Sequence, residues 1–91
     1  MNIKIAVVDD IPESIAMVLN AAEQFFQNHT AEHEIKDYHS SGELLMDLDQ
    51  GKYYDLYLLD VQMPGANGIQ VAREIRKKDF DPFIIYITDY I

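Results

Sequence analysis

The chain contains no cysteine. That excludes a disulfide framework and any thiolate metal site, and nothing in the composition argues for an oxidising compartment. Positive charge is scarce: 7 Lys and Arg side chains stand against 16 Asp and Glu, a formal net charge of -9. This balance opposes direct binding of nucleic acid or an anionic membrane by this segment, and it favours cations. Long hydrophobic runs are also missing. The longest apolar stretches, residues 5–8 and 83–88, are far too short to cross a bilayer, and Met1-Asn2-Ile3-Lys4 opens no signal peptide. A cytoplasmic protein is the expectation. With no repeat, low-complexity tract or linker, 91 residues at 48% apolar composition describe one small globular domain with one core. A domain of this size buries only roughly 60–65% of the surface of its unfolded chain, so losing one covering element leaves stability marginal.

What is present alternates in period. Residues 3–8 form a short apolar run broken only by Lys4 and ending at Asp9-Asp10, which reads as a buried strand. Pro12 suits the start of a helix. From there Ile15, Val18, Leu19, Ala22, Phe25 and Phe26 recur at steps of three and four, an amphipathic stripe. Asn28-His29-Thr30 ends it, and residues 34–38 read as a second, more polar strand near a sheet edge. Ser40 and Glu43 have capping-box spacing before a stripe of Leu44, Leu45 and Leu48, and Gly51 stops that helix. Residues 56–59 give a third strand ending at Asp60. Residues 61–67, with Pro64 and Gly65, form a loop, Gly68 opens a helix through Lys78, and Asp81-Pro82 precedes a fourth strand at 83–88. Four strands alternating with three helices, two of the strands continuously apolar, predict an α/β fold: a parallel sheet with helices on both faces.

In such sheets functional groups gather beyond the carboxyl ends of the strands. Asp9 and Asp10 follow the first strand, Asp60 the third and Thr88 the fourth, so three carboxylates and a hydroxyl fall on one rim. The second strand ends in Tyr38-His39 and offers nothing comparable. Converging carboxylates repel one another at neutral pH, and a hard divalent cation relieves them; oxygen-only ligation favours magnesium over zinc. Taken singly the groups are ordinary, since an Asp pair after a strand also suits a helix cap and Thr88 suits any strand. A strand ending in Asp60, then Met63-Pro64-Gly65, then Gly68 at a helix start is a spacing that random loops rarely reproduce. Asp55 and Asp89 lie outside this pattern and read as solvated. His29, His33 and His39 have no ligand spacing with the carboxylates, and the tyrosines Tyr53, Tyr54, Tyr57, Tyr86 and Tyr90 read as core and rim packing.

Val7-Val8-Asp9-Asp10, Leu58-Leu59-Asp60-Val61-Gln62-Met63-Pro64-Gly65 with Gly68, and Ile85-Tyr86-Ile87-Thr88 together resemble the receiver domains of bacterial two-component response regulators, over all 91 residues. The resemblance implies a flavodoxin-like (CheY-like) doubly wound parallel sheet with strand order 2-1-3-4. It implies that Asp60 is the phosphoacceptor, a nucleophile taking its phosphoryl group from a phosphohistidine on a sensor histidine kinase. Asp10 would ligate Mg2+ directly, Asp9 directly or through water, and Asp60 with the backbone carbonyl of Gln62 would complete the protein ligands. Thr88 would hydrogen-bond a phosphoryl oxygen and act as the switch. On this reading the protein is a signalling domain, not an enzyme acting on a separate substrate.

The chain departs from the family in having no fifth strand and no lysine after it, since Lys77 and Lys78 precede the fourth strand. The expectation is that residues 1–91 are the amino-terminal portion of a receiver, with no second domain. The fourth strand would then be an unpaired edge inviting self-association. An output domain beyond it would commonly bind DNA, and Ile87-Thr88-Asp89-Tyr90 is similar to receivers joined to LytTR-type domains. Two alternatives stand beside this reading. A haloacid-dehalogenase-type phosphatase also uses an Asp after a parallel strand, but two residues beyond Asp60 stands Gln62, which cannot act as a general acid. A receiver-like interaction module that is never phosphorylated would keep the fold without the chemistry. Nucleotide binding is disfavoured because no glycine-rich loop follows the first strand.

Overall fold

The computed structural model describes residues 2–29, 32–79 and 81–87. In chain order the elements are β1 (Asn2–Val8), α1 (Pro12–Gln27), β2 (Glu32–Tyr38), α2 (Ser41–Asp49), β3 (Leu56–Asp60), α3 (Gly68–Lys78) and β4 (Phe83–Ile87). The four strands form one sheet in the order β2-β1-β3-β4, and every pairing is parallel. This is the α/β sheet expected from the sequence. β2 is longer than the expected 34–38, because Glu32 and His33 continue the ladder opposite Asn2 and Ile3 of β1. Thr88, expected to close β4, lies outside the described residues.

β1 runs between β2 and β3, so its apolar run has neighbours on both edges and both faces. Ile5, Ala6, Val7 and Val8 are all buried. Side chains alternate across the sheet. Ala6 and Val8 join Tyr57 and Leu59 of β3 against Leu44 and Leu48 of α2 and Val71, Ala72 and Ile75 of α3, which makes the main core. On the opposite face α1 packs along β1 and β2.

The helix ends follow their side chains. Ser40 Oγ accepts from the Glu43 amide at 3.3 Å, but the Glu43 carboxylate reaches one residue further back than a capping box requires, to the His39 amide at 3.0 Å. Gly51, at φ 81°, takes the left-handed turn after α2, with Gly51 N–H donating to Leu48 and Lys52 N–H to Asp47, a Schellman close. The full reciprocal box is at α3, where Asn67 and Gln70 exchange side-chain and backbone bonds at 2.8 and 2.9 Å. Asn-x-x-Gln before an apolar stripe was its signal in the sequence.

The stripe on α1 is less buried than its periodicity predicts. Of its six apolar residues only Ile15 is buried, and Phe25 is 55% exposed. Among the described residues only α1 covers that face, so the outer half of its stripe has no facing element. Its aromatic rings find local partners instead: Phe25 stacks on His29 at 4.0 Å between centroids and Phe26 on His33 at 4.1 Å. Tyr57 is fully buried, and burial pushes its phenol up to about 12, whereas Tyr53 and Tyr86 stay exposed.

Leu44→Ala should therefore cost about 2–5 kcal/mol, and Phe25→Ala less than about 1 kcal/mol. Urea unfolding of both variants checks the ranking, and the reverse order would place the main core on the α1 face.

Candidate metal and phosphoacceptor site

β1 and β3 are adjacent and parallel, with Val8 opposite Leu59. Their carboxyl ends therefore release Asp9-Asp10 and Asp60 side by side. One carboxylate oxygen from each of Asp9, Asp10 and Asp60 lies within 4.8 Å of the others. Asp9 is 4% exposed and Asp60 7%, while Asp10 is more open to solvent.

The helix-cap alternative for the Asp pair does not hold. The N-cap of α1 is Ile11, with Pro12 at the first helical position and no side-chain capping bond. Asp9 Oδ1 instead accepts from the Ile11 amide at 3.0 Å, which turns the chain and holds the carboxylate over the sheet end. Asp9 N–H donates to the Tyr38 carbonyl at 3.1 Å, so the second strand, bland in sequence, anchors the site through its backbone. Its phenol matters too. Tyr38 Oη donates to Asp47 Oδ2 at 2.5 Å and meets Tyr54 Oη at 2.7 Å, with Lys36 Nζ on the same Asp47 oxygen at 3.0 Å. Tyr38, first of these partners, holds the Asp47 carboxyl below the usual carboxylate range, with Lys36 adding to it. No periodicity or motif marks that network; only the parallel pairing brings it together.

Asp60 Oδ1 accepts from the Gln62 amide at 3.3 Å. The Val61 amide donates to the Ile87 carbonyl of β4 and the Gly68 amide to the Val61 carbonyl, both at 3.1 Å. Val61, Gln62, Met63, Pro64 and Asn67 line an open cleft of about 540 Å³ just after Asp60. Burial, followed by the negative charge of Asp9, pushes the Asp60 carboxyl above its ordinary value, with the Gln62 amide opposing. The basic side chains Lys36, Lys52, Lys77 and Lys78 pair with Asp47, Glu74 and Asp49, not with this trio. Among the described residues the cluster offers oxygen donors of like charge with none of these four lysines paired to them, which fits a hard divalent cation such as Mg2+.

The remaining expected residues separate cleanly. Asp55, expected to be merely solvated, is exposed but accepts from the Lys4 amide at 2.9 Å. His33 pairs with Glu23 and His39 with Asp37. Thr88 and Asp89 lie outside the described residues. No helix among the described residues is long and apolar enough to cross a membrane.

Fold and site are those of an α/β domain with an acidic rim, and residues 5–91 match the response regulator receiver domain family, to which this chain belongs. The response regulator ArlR of Staphylococcus epidermidis is 39% identical over 56 residues, 62% of this chain and 26% of that protein. The chain thus spans about a quarter of that relative's length. The response regulator TrrA of Thermotoga maritima, solved in complex with Mg2+ and BeF, is 38% identical with a TM-score of 0.72, covering 96% of this chain and 70% of that one. In a structure of the histidine kinase ThkA in complex with TrrA, the match is 35% identical with a TM-score of 0.65, covering 97% and 70%. The family assignment replaces the dehalogenase alternative.

Because folding raises the Asp60 pKa above its ordinary 3.8, the folded chain holds more protons than the unfolded one between the two values, and stability falls as pH rises through that window. Asp60→Asn should accordingly raise the melting temperature at neutral pH without divalent cations, by about 4–8 °C for each ~1 kcal/mol of repulsion removed. The gain should vanish well below pH 3.8, where Asp60 is neutral in both the folded and the unfolded chain. Thermal unfolding across pH checks this, and an unchanged or lowered melting temperature at pH 7 would refute the crowding.

Proposed function

We propose that this receiver takes a phosphoryl group onto Asp60 from the phosphohistidine of a sensor histidine kinase. Asp9, Asp10, Asp60 and the backbone carbonyl of Gln62 hold Mg2+, and Thr88 donates its hydroxyl to a phosphoryl oxygen. The observation that carries this reading is the convergence of the three carboxylates within 4.8 Å. One Asp60 carboxylate oxygen forms the new bond to phosphorus as the bond from phosphorus to the imidazole nitrogen breaks, and the imidazole leaves with that electron pair. Magnesium supplies, when bound, the positive charge that such a transfer needs in place beforehand. Asp9, held by Ile11 and Tyr38, and Asp60, held by Gln62, keep the acceptor oriented. Support comes also from TrrA, which was solved both with Mg2+ and BeF and with a kinase. In the whole protein, phosphorylation then switches an output activity, on this reading a DNA-binding one acting in transcription from a cytoplasmic location.

The test is a titration of Mg2+ during thermal unfolding of the parent, Asp60→Ala and Asp10→Ala, followed by incubation with a small phosphodonor and intact-mass measurement. A saturable rise in the parent, reaching about 2.7 kcal/mol at a hundredfold excess over Kd, is expected to weaken in both variants, with one added phosphoryl group lost in Asp60→Ala. A parent that neither responds to Mg2+ nor gains mass would leave a receiver-like interaction module.

A second part of the proposal concerns β4. Among the described residues it is an edge, with Phe83 77% exposed, and Ile85 and Tyr86 also exposed on opposite faces. An edge strand with apolar side chains on both faces suits pairing with a second copy of this chain. Light scattering after size-exclusion chromatography should show a dimer or larger, reduced to monomer by Ile85→Lys; a monomeric parent at high concentration would sink the idea.

A further inference from the structure

The four glycines differ in what a side chain would meet. Gly51 and Gly65 have positive φ, and an added Cβ at Gly42 has nothing within 4 Å. Gly68 is different: its φ is not in the left-handed region, yet it is buried at the first turn of α3. A Cβ there would fall far inside contact distance of the Asp60 carbonyl oxygen, 2.9 Å from the Asp60 carbonyl carbon and 3.1 Å from Val61 Cα. Space, not backbone freedom, is what glycine supplies.

Neither element can retreat cheaply. α3 is fixed by its Asn67–Gln70 box and by Val71, Ala72 and Ile75 in the main core. β3 is paired on both edges, with Leu59 opposite Val8 and Asp60 opposite Ile87. The shift that a Cβ demands must fall on the Asp60–Val61 backbone, which the Val61 amide ties to the Ile87 carbonyl, and a displacement of that backbone carries the Asp60 side chain with it. We propose that Gly68 is a positioning residue for the acceptor: the bare contact of α3 with the Asp60 carbonyl holds that carboxylate in register with Asp9, Asp10 and the Gln62 amide. This rests on the reading of the carboxylate trio as a divalent-cation site, but only in one of its two readouts.

The first readout needs no metal. In the parent, the Gln62 amide donates to Asp60 Oδ1, so its NMR signal should move on Asp60→Asn. In Gly68→Ala the Gln62 signal should already be displaced and should no longer respond to Asp60→Asn. The second is Mg2+ affinity, expected to weaken at least about tenfold in Gly68→Ala, as for other groups that orient metal ligands. Gly42→Ala supplies the control, since alanine favours α2 and meets no neighbour. In Gly42→Ala/Gly68→Ala the melting temperature should recover while the Mg2+ affinity and the Gln62 signal do not. Recovery of all three would mean that Gly68 acts through stability alone and would overturn the proposal. So would a Gly68→Ala chain whose Gln62 amide still responds to Asp60→Asn. A parent that does not bind Mg2+ would sink the metal reading, and the Gln62 signal would still decide the positioning claim.

Discussion

Like charge held close in a place where water is scarce is the constraint around which this domain is built. Asp9 and Asp60 are both nearly inaccessible, and neither has a basic side chain to answer it in the ion pairs that the lysines make. Two carboxylates at the ends of adjacent strands are tolerated because backbone amides are aimed at them, Ile11 at Asp9 and Gln62 at Asp60. Ile5, Ala6, Val7 and Val8 of β1 and Tyr57 and Leu59 of β3 are buried just before those ends, which resists their splaying. Burial first, and then the negative charge of Asp9, leaves the Asp60 carboxyl raised despite the Gln62 amide. A folded state that carries such a cluster spends core stability on a binding site, which is the usual position of functional groups in marginally stable domains.

The sheet shows how unevenly that stability is distributed. One face is closed by α2 and α3 over a continuous cluster that includes Tyr57 and Leu59. The other carries α1, whose stripe is buried only at Ile15, and beyond it Phe83, Ile85 and Leu56 border an apolar hollow of about 500 Å³. The site sits at the carboxyl ends of β1 and β3, whose Val8 and Leu59 are held in the well-closed cluster.

Most of the architecture was legible from the chain because its signals are local. Period-two and period-3.6 apolar patterns, Gly51 after a leucine stripe, and Asp-terminated strands each report on a few consecutive residues, and the structure places the elements within one or two residues of those expectations. The carboxylate trio was legible for a related reason: parallel strands deliver their ends to a common rim whatever lies between them. Contacts made across the fold were not. Tyr38 looked unremarkable, yet its carbonyl holds Asp9 and its phenol joins Asp47 and Tyr54. Phe25 and Phe26 were expected inward, because a helix's stripe says which side is apolar and not whether anything stands opposite it. Gly68 was visible as a helix start, but its approach to the Asp60 carbonyl belongs to tertiary packing.

The central position of β1 has a consequence in time. The first strand of the chain meets β2 some thirty residues later and β3 some fifty residues later. Such distant pairings slow folding, because loop closure must precede any reward from contact. On a ribosome adding about 5–20 residues per second, Asp9 and Asp10 therefore wait several seconds, as an ordinary solvated acidic pair, before Asp60 leaves the exit tunnel. Until then the nascent chain does not carry the crowded charge of the carboxylate trio.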